Sequence, residues 1–318
     1  MQPKIIIFAV LALFVILAPV MADNTIAEGW SAPVVLGSGS EPVLKQDANG
    51  RLSVRFEGDE QAMTAGLQEN GSWTTPEPVG SEAGANALQI AASDTQWLVE
   101  NIDGAILFSF SGSDSVPGKK EVVAEKREKS YLTLLHFAAD SFGTLHLLYG
   151  RTPEYDTAAE NTGMDVFYRR YAGSGWEKEL PVADKLIYSR TWQKPGIAIT
   201  PQGRVFICSY NDLYSVDKAG EVRKEACPIA DFSMPLAVVA NGSDTLHFVF
   251  HASRENAESV DDNLYYVSKK GDDWGKPVSI GKQPAERQHS IIAAGRELYV
   301  AWEDPDGNIM VAKKQIEQ

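Results

Sequence analysis

One phrase recurs along the chain: a turn rich in Gly, Asp or Asn, then a run of alternating Val, Leu, Phe and Tyr. It is written DANGRLSVRF at 47–56, DSFGTLHLLY at 140–149, PQGRVFICSY at 201–210, NGSDTLHFVF at 241–250 and AGRELYVAW at 294–302, with a weaker copy, SDTQWLVEN, at 93–101. A short apolar run comes before most copies: LQIAA at 88–92, LTLLHF at 132–137, GIAI at 196–199, LAVVA at 236–240 and IIAA at 291–294. A third segment follows and usually ends at a glycine turn, as in QAMTAGLQENGSW at 61–73, GAILFSFSGS at 104–113, DVFYRRYAGSGW at 165–176, NDLYSVDKAG at 211–220 and NLYYVSKKGDDW at 263–274. Runs of this length, rich in β-branched and aromatic residues and bounded by turn formers, are strands joined by hairpins.

The second segments centre on Leu52, Trp97, Leu145, Val205, Leu246 and Leu298, about 41–60 residues apart. Antiparallel strands in fours at that spacing are the pattern of β-propeller blades. Radial packing buries both faces of each blade, so few strands here are polar on one face. The expectation is an all-β, six-bladed β-propeller. The last third-type segment, GNIMVAKK at 307–314, has no fourth strand after it, whereas WSAPVVLG at 30–37 is a fourth-type strand with no blade of its own. Residues 29–37 should therefore pair into the last blade and close the ring, leaving no open sheet edge. Trp73, Trp176 and Trp274, each just past a third strand, should anchor blade to blade.

The chain begins MQPK, then carries an apolar run from Ile5 to Ala22. A basic start, an apolar stretch and Val20 and Ala22 at its end form an export signal, residues 1–22, ahead of a propeller domain at 23–318. An uncleaved membrane anchor is the alternative, and would be the protein's one membrane contact. The expected location is secreted or periplasmic, and the expected state a monomer. A formal charge of −14 argues against a nucleic-acid partner, which needs a basic surface. Cys208 and Cys227 fall on the second and fourth strands of one blade, about 9–10 Å apart. A disulfide needs Cα atoms within about 7 Å, so two buried thiols are expected.

The segments SKKGDDW at 268–274, YAGSGW at 171–176 and QENGSW at 68–73 resemble the Asp-box, or BNR, turns of the sialidase-like propellers. Their Gly and Trp are kept, and Lys270 stands near the place of the Asp. The resemblance implies the propeller fold and, as one possible activity, glycosidase or lyase chemistry on an acidic saccharide. Sialidases of that family use three arginines, a tyrosine nucleophile with a glutamate partner and an aspartate acid/base. Where they carry an Arg-Ile-Pro element, this chain has SEPVLK at 40–45.

In a propeller the loops after the second and fourth strands gather on one face. Here those loops carry Arg127, Arg151, Arg190, Arg254 and Arg287, with Tyr131, Tyr155, Tyr188 and Trp192. Guanidinium groups grip carboxylate, sulfate or phosphate, and aromatic rings stack on sugars or peptides. The candidate ligand-binding set is Arg190, Trp192, Tyr188, Arg151, Tyr155, Arg254, Arg287 and His289. The alternative is that each arginine pairs with a nearby acid, among Glu128, Glu154, Asp184, Glu255 and Glu286, and holds its own loop. No catalytic pair stands out: Glu57, Asp156, Asp261 and Glu303 follow second strands in different blades. His146 and His247 hold the same second-strand position, a structural repeat rather than a zinc site. EDPDGN at 303–308 reads as a hairpin turn rather than a calcium loop. No cofactor or metal is expected. The leading reading is an exported, non-catalytic module that binds a glycan or a protein. The alternatives are a sialidase-like hydrolase or lyase and a structural protein of the cell envelope.

Overall fold

The computed structural model describes residues 27–316 except 48, 80–86, 93–94, 112–119, 154–162, 187–194, 210–211, 228–236, 252–262 and 283–287. The described residues form six antiparallel sheets around an axis. Blade 1 holds Ser40–Gln46, Leu52–Glu57, Ala62–Gly66 and Glu77–Pro78; blade 2 holds Ala87–Ala92, Thr95–Ile102, Ala105–Ser111 and Glu121–Glu125. Blade 3 holds Ser130–Ala139, Leu145–Pro153, Met164–Tyr171 and Leu180–Leu186; blade 4 holds Gly196–Ile199, Val205–Ser209, Asp212–Val216 and Val222–Glu225. Blade 5 holds Ala237–Ala240, Thr245–His251 and Asn263–Lys270, and its outer strand is split into Asp273–Trp274 and Val278–Lys282. Blade 6 holds His289–Ala294, Glu297–Glu303 and Asn308–Gln315, and its outer strand is Val34–Ser38 from the other end of the chain. The strands of each blade are called a to d from the axis outward.

The closure is a continuous ladder. Val34 pairs with Val311 and Ser38 with Asn308, and an isolated bridge joins Trp30 to Lys314. The Ser31 N–H donates to the Lys313 carbonyl at 2.8 Å, and the Gly39 N–H donates to the Gly307 carbonyl at 3.0 Å. Side chains anchor it on both flanks. Leu36 enters the core between blades 6 and 1, while Trp30 enters the core between blades 5 and 6, edge-on to Tyr266 at 5.2 Å.

Successive residues of one strand feed different seams, because side chains alternate across a sheet. In blade 5, Phe248 and Phe250 pack toward blade 4 and Val249 toward blade 6. In blade 6, Leu298, Val300 and Trp302 pack toward blade 5, and Tyr299 and Ala301 toward blade 1. This is why the b strands are apolar at nearly every position. The three tryptophans sit at equivalent places, each bridged to the end of strand c: Leu67 to Trp73, Tyr171 to Trp176 and Lys269 to Trp274. Trp73 meets Tyr299 of blade 6 and Trp176 meets Phe108 of blade 2, both edge-on. Trp274 lies on Phe248 of its own blade, and the Lys269 ammonium beside it sits 6.0 Å from the Phe206 ring of blade 4.

The hairpins share one turn. In those opened by Asp47, Asp140, Asn241 and Asp304, the first side-chain oxygen accepts the N–H groups of the residues two and four places on. EDPDGN is thus a hairpin turn between strands b and c of blade 6. The fourth residue needs a positive φ, supplied by Gly50, Gly143 and Gly307 at 78°, 80° and 78°. Asp244 holds that place in the fourth turn at 63°, with its Oδ1 buried and unbonded. Cys227 lies just past the end of strand d in blade 4, not on it, and no disulfide joins it to Cys208.

Two measurements check this account. Trp30→Ala should lower the unfolding free energy by about 3–5 kcal/mol in urea titration, as a buried aromatic does, while Val35→Ala on the exposed side should change it by about 0.5 kcal/mol or less. Asp244→Gly should raise stability by roughly 1 kcal/mol, because glycine adopts the left-handed conformation without penalty. An unchanged or lower midpoint would contradict the assignment of strain to that turn.

Candidate functional site

Strand a of each blade runs away from the face where the d–a and b–c loops gather, and strand b returns to it. Arg127, Tyr131, Arg151, His251, His289 and Glu303 stand at those strand ends. Of the residues singled out in the sequence, Tyr155, Tyr188, Arg190, Trp192, Arg254 and Arg287 lie outside the described residues. Arg151 and His289 are described.

Arg151 closes strand b of blade 3, and its side chain turns into the seam with blade 2. Its guanidinium carbon lies 4.5 Å from the Phe167 ring centre, and Nη2 donates to Glu179 Oε2 at 3.2 Å. The Tyr149 hydroxyl donates to the same carboxylate, and the exposed Arg127 reaches it at 3.6 Å. Glu179 therefore collects two arginines and a phenol. Burial opposes its ionisation, but the Tyr149 hydroxyl and the Arg151 and Arg127 charges outweigh that and hold its carboxyl below the usual range. Burial, then Glu179 itself, pushes the Tyr149 hydroxyl well up. A tyrosine beside a glutamate and arginines has the composition of a sialidase nucleophile site. Here the tyrosine itself is fully buried between blades, and its phenol is shifted away from the phenolate. Arg169 crosses the same seam, donating to the carbonyls of Glu177 at 2.7 Å and of Val123 in blade 2.

Tyr131 is the described aromatic that does face solvent here. It is 60% exposed at the start of the innermost strand of blade 3, opposite Thr152. Ser130 fixes the loop before it, donating to the Arg127 carbonyl at 2.8 Å. An exposed ring thus follows an exposed arginine by four residues, with Ser130 bonding the loop between them.

His289 starts strand a of blade 6 and is buried against blade 5, its Nε2 3.0 Å from the Val249 carbonyl oxygen. Burial, opposed by that bond and aided by His251 nearby, lowers its pKa to about 4. Glu303, at the end of strand b of the same blade, is buried too, whereas Glu57 in blade 1 is exposed. His146 and His247 do repeat: Nδ1 of each lies 2.7 and 2.8 Å from the hydroxyl oxygens of Tyr168 and Tyr266, across strands b and c. Among the described residues no group of three His, Cys, Asp or Glu is placed to hold a metal ion. No helix among them is long and apolar enough to cross a membrane.

No protein-family model matches the chain, and no curated protein matches it by sequence. Solved structures match by shape. A luciferin-regenerating enzyme is 13% identical over 89% of this chain and 95% of its own, at a TM-score of 0.51. A Trypanosoma rangeli sialidase in complex with sialic acid is 13% identical over 91% of this chain, at 0.50. A Mycobacterium tuberculosis puromycin-hydrolyzing peptidase is 11% identical over 90% of this chain, at 0.50. The chain spans 59% of that sialidase and 53% of that peptidase. Likeness at this identity establishes the propeller fold shared with a sialidase, and nothing of activity.

Two further outcomes follow. Glu179→Gln leaves Arg151 buried without its counter-charge and should cost roughly 3 kcal/mol, the low end for a broken buried pair, since Glu179 is 27% exposed. Acid should weaken the fold in a defined window. His136, His247 and His289 are held by burial at about 4, against an ordinary 6.5. Between those values the unfolded chain binds protons that the folded chain does not, so stability falls as pH drops from about 6.5 to 4. Urea midpoints at stepped pH should show this, with a shallower slope in His247→Gln. A flat profile across the window would overturn it.

Proposed function

We propose that the chain is an exported propeller that binds a glycan or a protein ligand on the face of its d–a and b–c loops, without catalysing a reaction. The observation that carries the reading is Tyr131, exposed at the loop-face end of the innermost strand of blade 3, four residues after the exposed Arg127. An aromatic ring offers a sugar face or a peptide side chain a flat apolar surface, and a guanidinium offers a fork to carboxylate or sulfate. A glycosidase needs a carboxylic acid that keeps its proton near neutral pH. Glu179, the carboxylate beside these arginines, is held in the opposite sense, and that favours recognition over general-acid chemistry. The N-terminal basic and apolar stretch, residues 1–22, supports export, and the charge of −14 supports a partner other than nucleic acid.

The test is a glycan array probed with residues 23–318, beside Tyr131→Ala and Arg190→Ala. Tyr131→Ala should weaken binding of an acidic or neutral glycan by about tenfold, the scale of one lost stacking contact. A glycan bound equally by wild type and both variants would place the site elsewhere. No glycan bound at all would leave a protein partner, to be sought by crosslinking at the cell envelope. Turnover of a bound glycan would overturn the non-catalytic reading and favour the hydrolase or lyase.

A further inference from the structure

On the opposite face, where the a–b and c–d turns lie, a cleft of about 400 Å³ opens along the closure seam. The a–b and c–d turns of blade 1 form one wall, and the a–b turn of blade 6, at Ala294 and Gly295, forms the other. Leu52, Leu67 and the wall of Tyr299 make an apolar floor, with Leu52 and Tyr299 buried. The rim is polar, with Arg51 and Glu69 among its members. Both are exposed, and neither makes an ion pair with a described residue. Rim carboxamides are already oriented: Gln46 Nε2 donates to the Gly50 carbonyl at 3.1 Å, and Gln68 Oε1 accepts from Ser72 Oγ at 2.9 Å.

We propose that this cleft binds a short zwitterionic peptide, with its carboxylate on Arg51, its ammonium toward Glu69 and its side chains on the apolar floor. The charges decide the class. A purely anionic ligand, such as a sugar acid, would meet Glu69, and a purely cationic one would meet Arg51. A molecule with one charge of each sign satisfies both, and charge-assisted hydrogen bonds are the stronger ones. Carboxamides held by their neighbours present peptide groups with partners that lose little freedom on binding. Because the walls belong to the first and last blades, an occupant would also tie the two ends of the ring together. This site is independent of the one on the loop face, and either stands if the other fails.

Calorimetric titration of residues 23–318 with alanyl-leucine, N-acetyl-alanyl-leucine, alanyl-leucinamide and glucuronate tests it. The free dipeptide should bind and raise the melting temperature with concentration, as any ligand selective for the folded state does. Blocking either end, or replacing Arg51→Ala or Glu69→Ala, should each weaken binding about tenfold or more, the scale of one lost charge-assisted contact. Both replacements fall on exposed turn residues that make no ion pair with a described residue, so the variants should melt as wild type does without peptide. No heat with the free dipeptide, equal binding of the blocked forms, or binding of glucuronate alone would overturn the proposal.

Discussion

The ladder between Val34–Ser38 and Asn308–Gln315 is the interaction on which the other contacts depend. A four-stranded blade has two faces to bury and two edges to satisfy. Neighbouring blades bury the faces, but only while the ring is closed does every blade have two neighbours. Without the N-terminal strand, the edge of Asn308–Gln315 would be unpaired, and the cores on either side of blade 6 would lose Trp30 and Leu36. The chain thus gives the first of its described strands to its last sheet. Blade 6 thereby has four strands and a neighbour on each face, like the other blades.

Closure also explains where polar groups are tolerated. The seams are apolar along most of their height, but they hold Arg151 with Glu179, Arg169 against backbone carbonyls, and two His–Tyr pairs. Each polar group there has a partner across a strand or across a seam. An apolar seam sets little more than a spacing. A hydrogen-bonded one also sets height, because donor and acceptor must meet at one level. The Arg169 bond to the Val123 carbonyl fixes blade 3 against blade 2, and His289 against the Val249 carbonyl fixes blade 6 against blade 5, the latter at a strand end from which a d–a loop springs.

How much of this was legible in the residues follows from the range of each interaction. Turns and alternation are local, so the six blades, the shared hairpin turn and the equivalent tryptophans and histidines are visible in the string. The closure is visible because a strand without a blade and a blade without a strand are both conspicuous. The direction of Arg151 was not. The sequence puts it at a strand end beside a loop, where it reads equally as a ligand contact or a loop brace. Its partner Glu179 is 28 residues on, across two strands. Nor was Cys227 well placed, because strand d of blade 4 ends at Glu225. The cleft at the seam was invisible, since one of its walls comes from blade 6 and the other from blade 1. Only closure makes them neighbours.

A propeller offers two faces, and its symmetry makes every blade contribute similar groups to both. Function must therefore come from departures from the repeat. On one face the departure is Tyr131, a large aromatic left in solvent near the start of the ten-residue innermost strand of blade 3. On the other it is the seam itself, the one place where blades brought together by closure rather than by chain order meet. A side chain that supports no core is open to a ligand, and Tyr131 meets that condition, as do Arg51 and Glu69 at the seam, which are exposed and make no ion pair with a described residue. The buried Tyr149 fails it. However much its partners resemble a reactive site, its hydroxyl already serves the blade 2–3 seam, and the same burial that makes it a good brace removes it from any ligand.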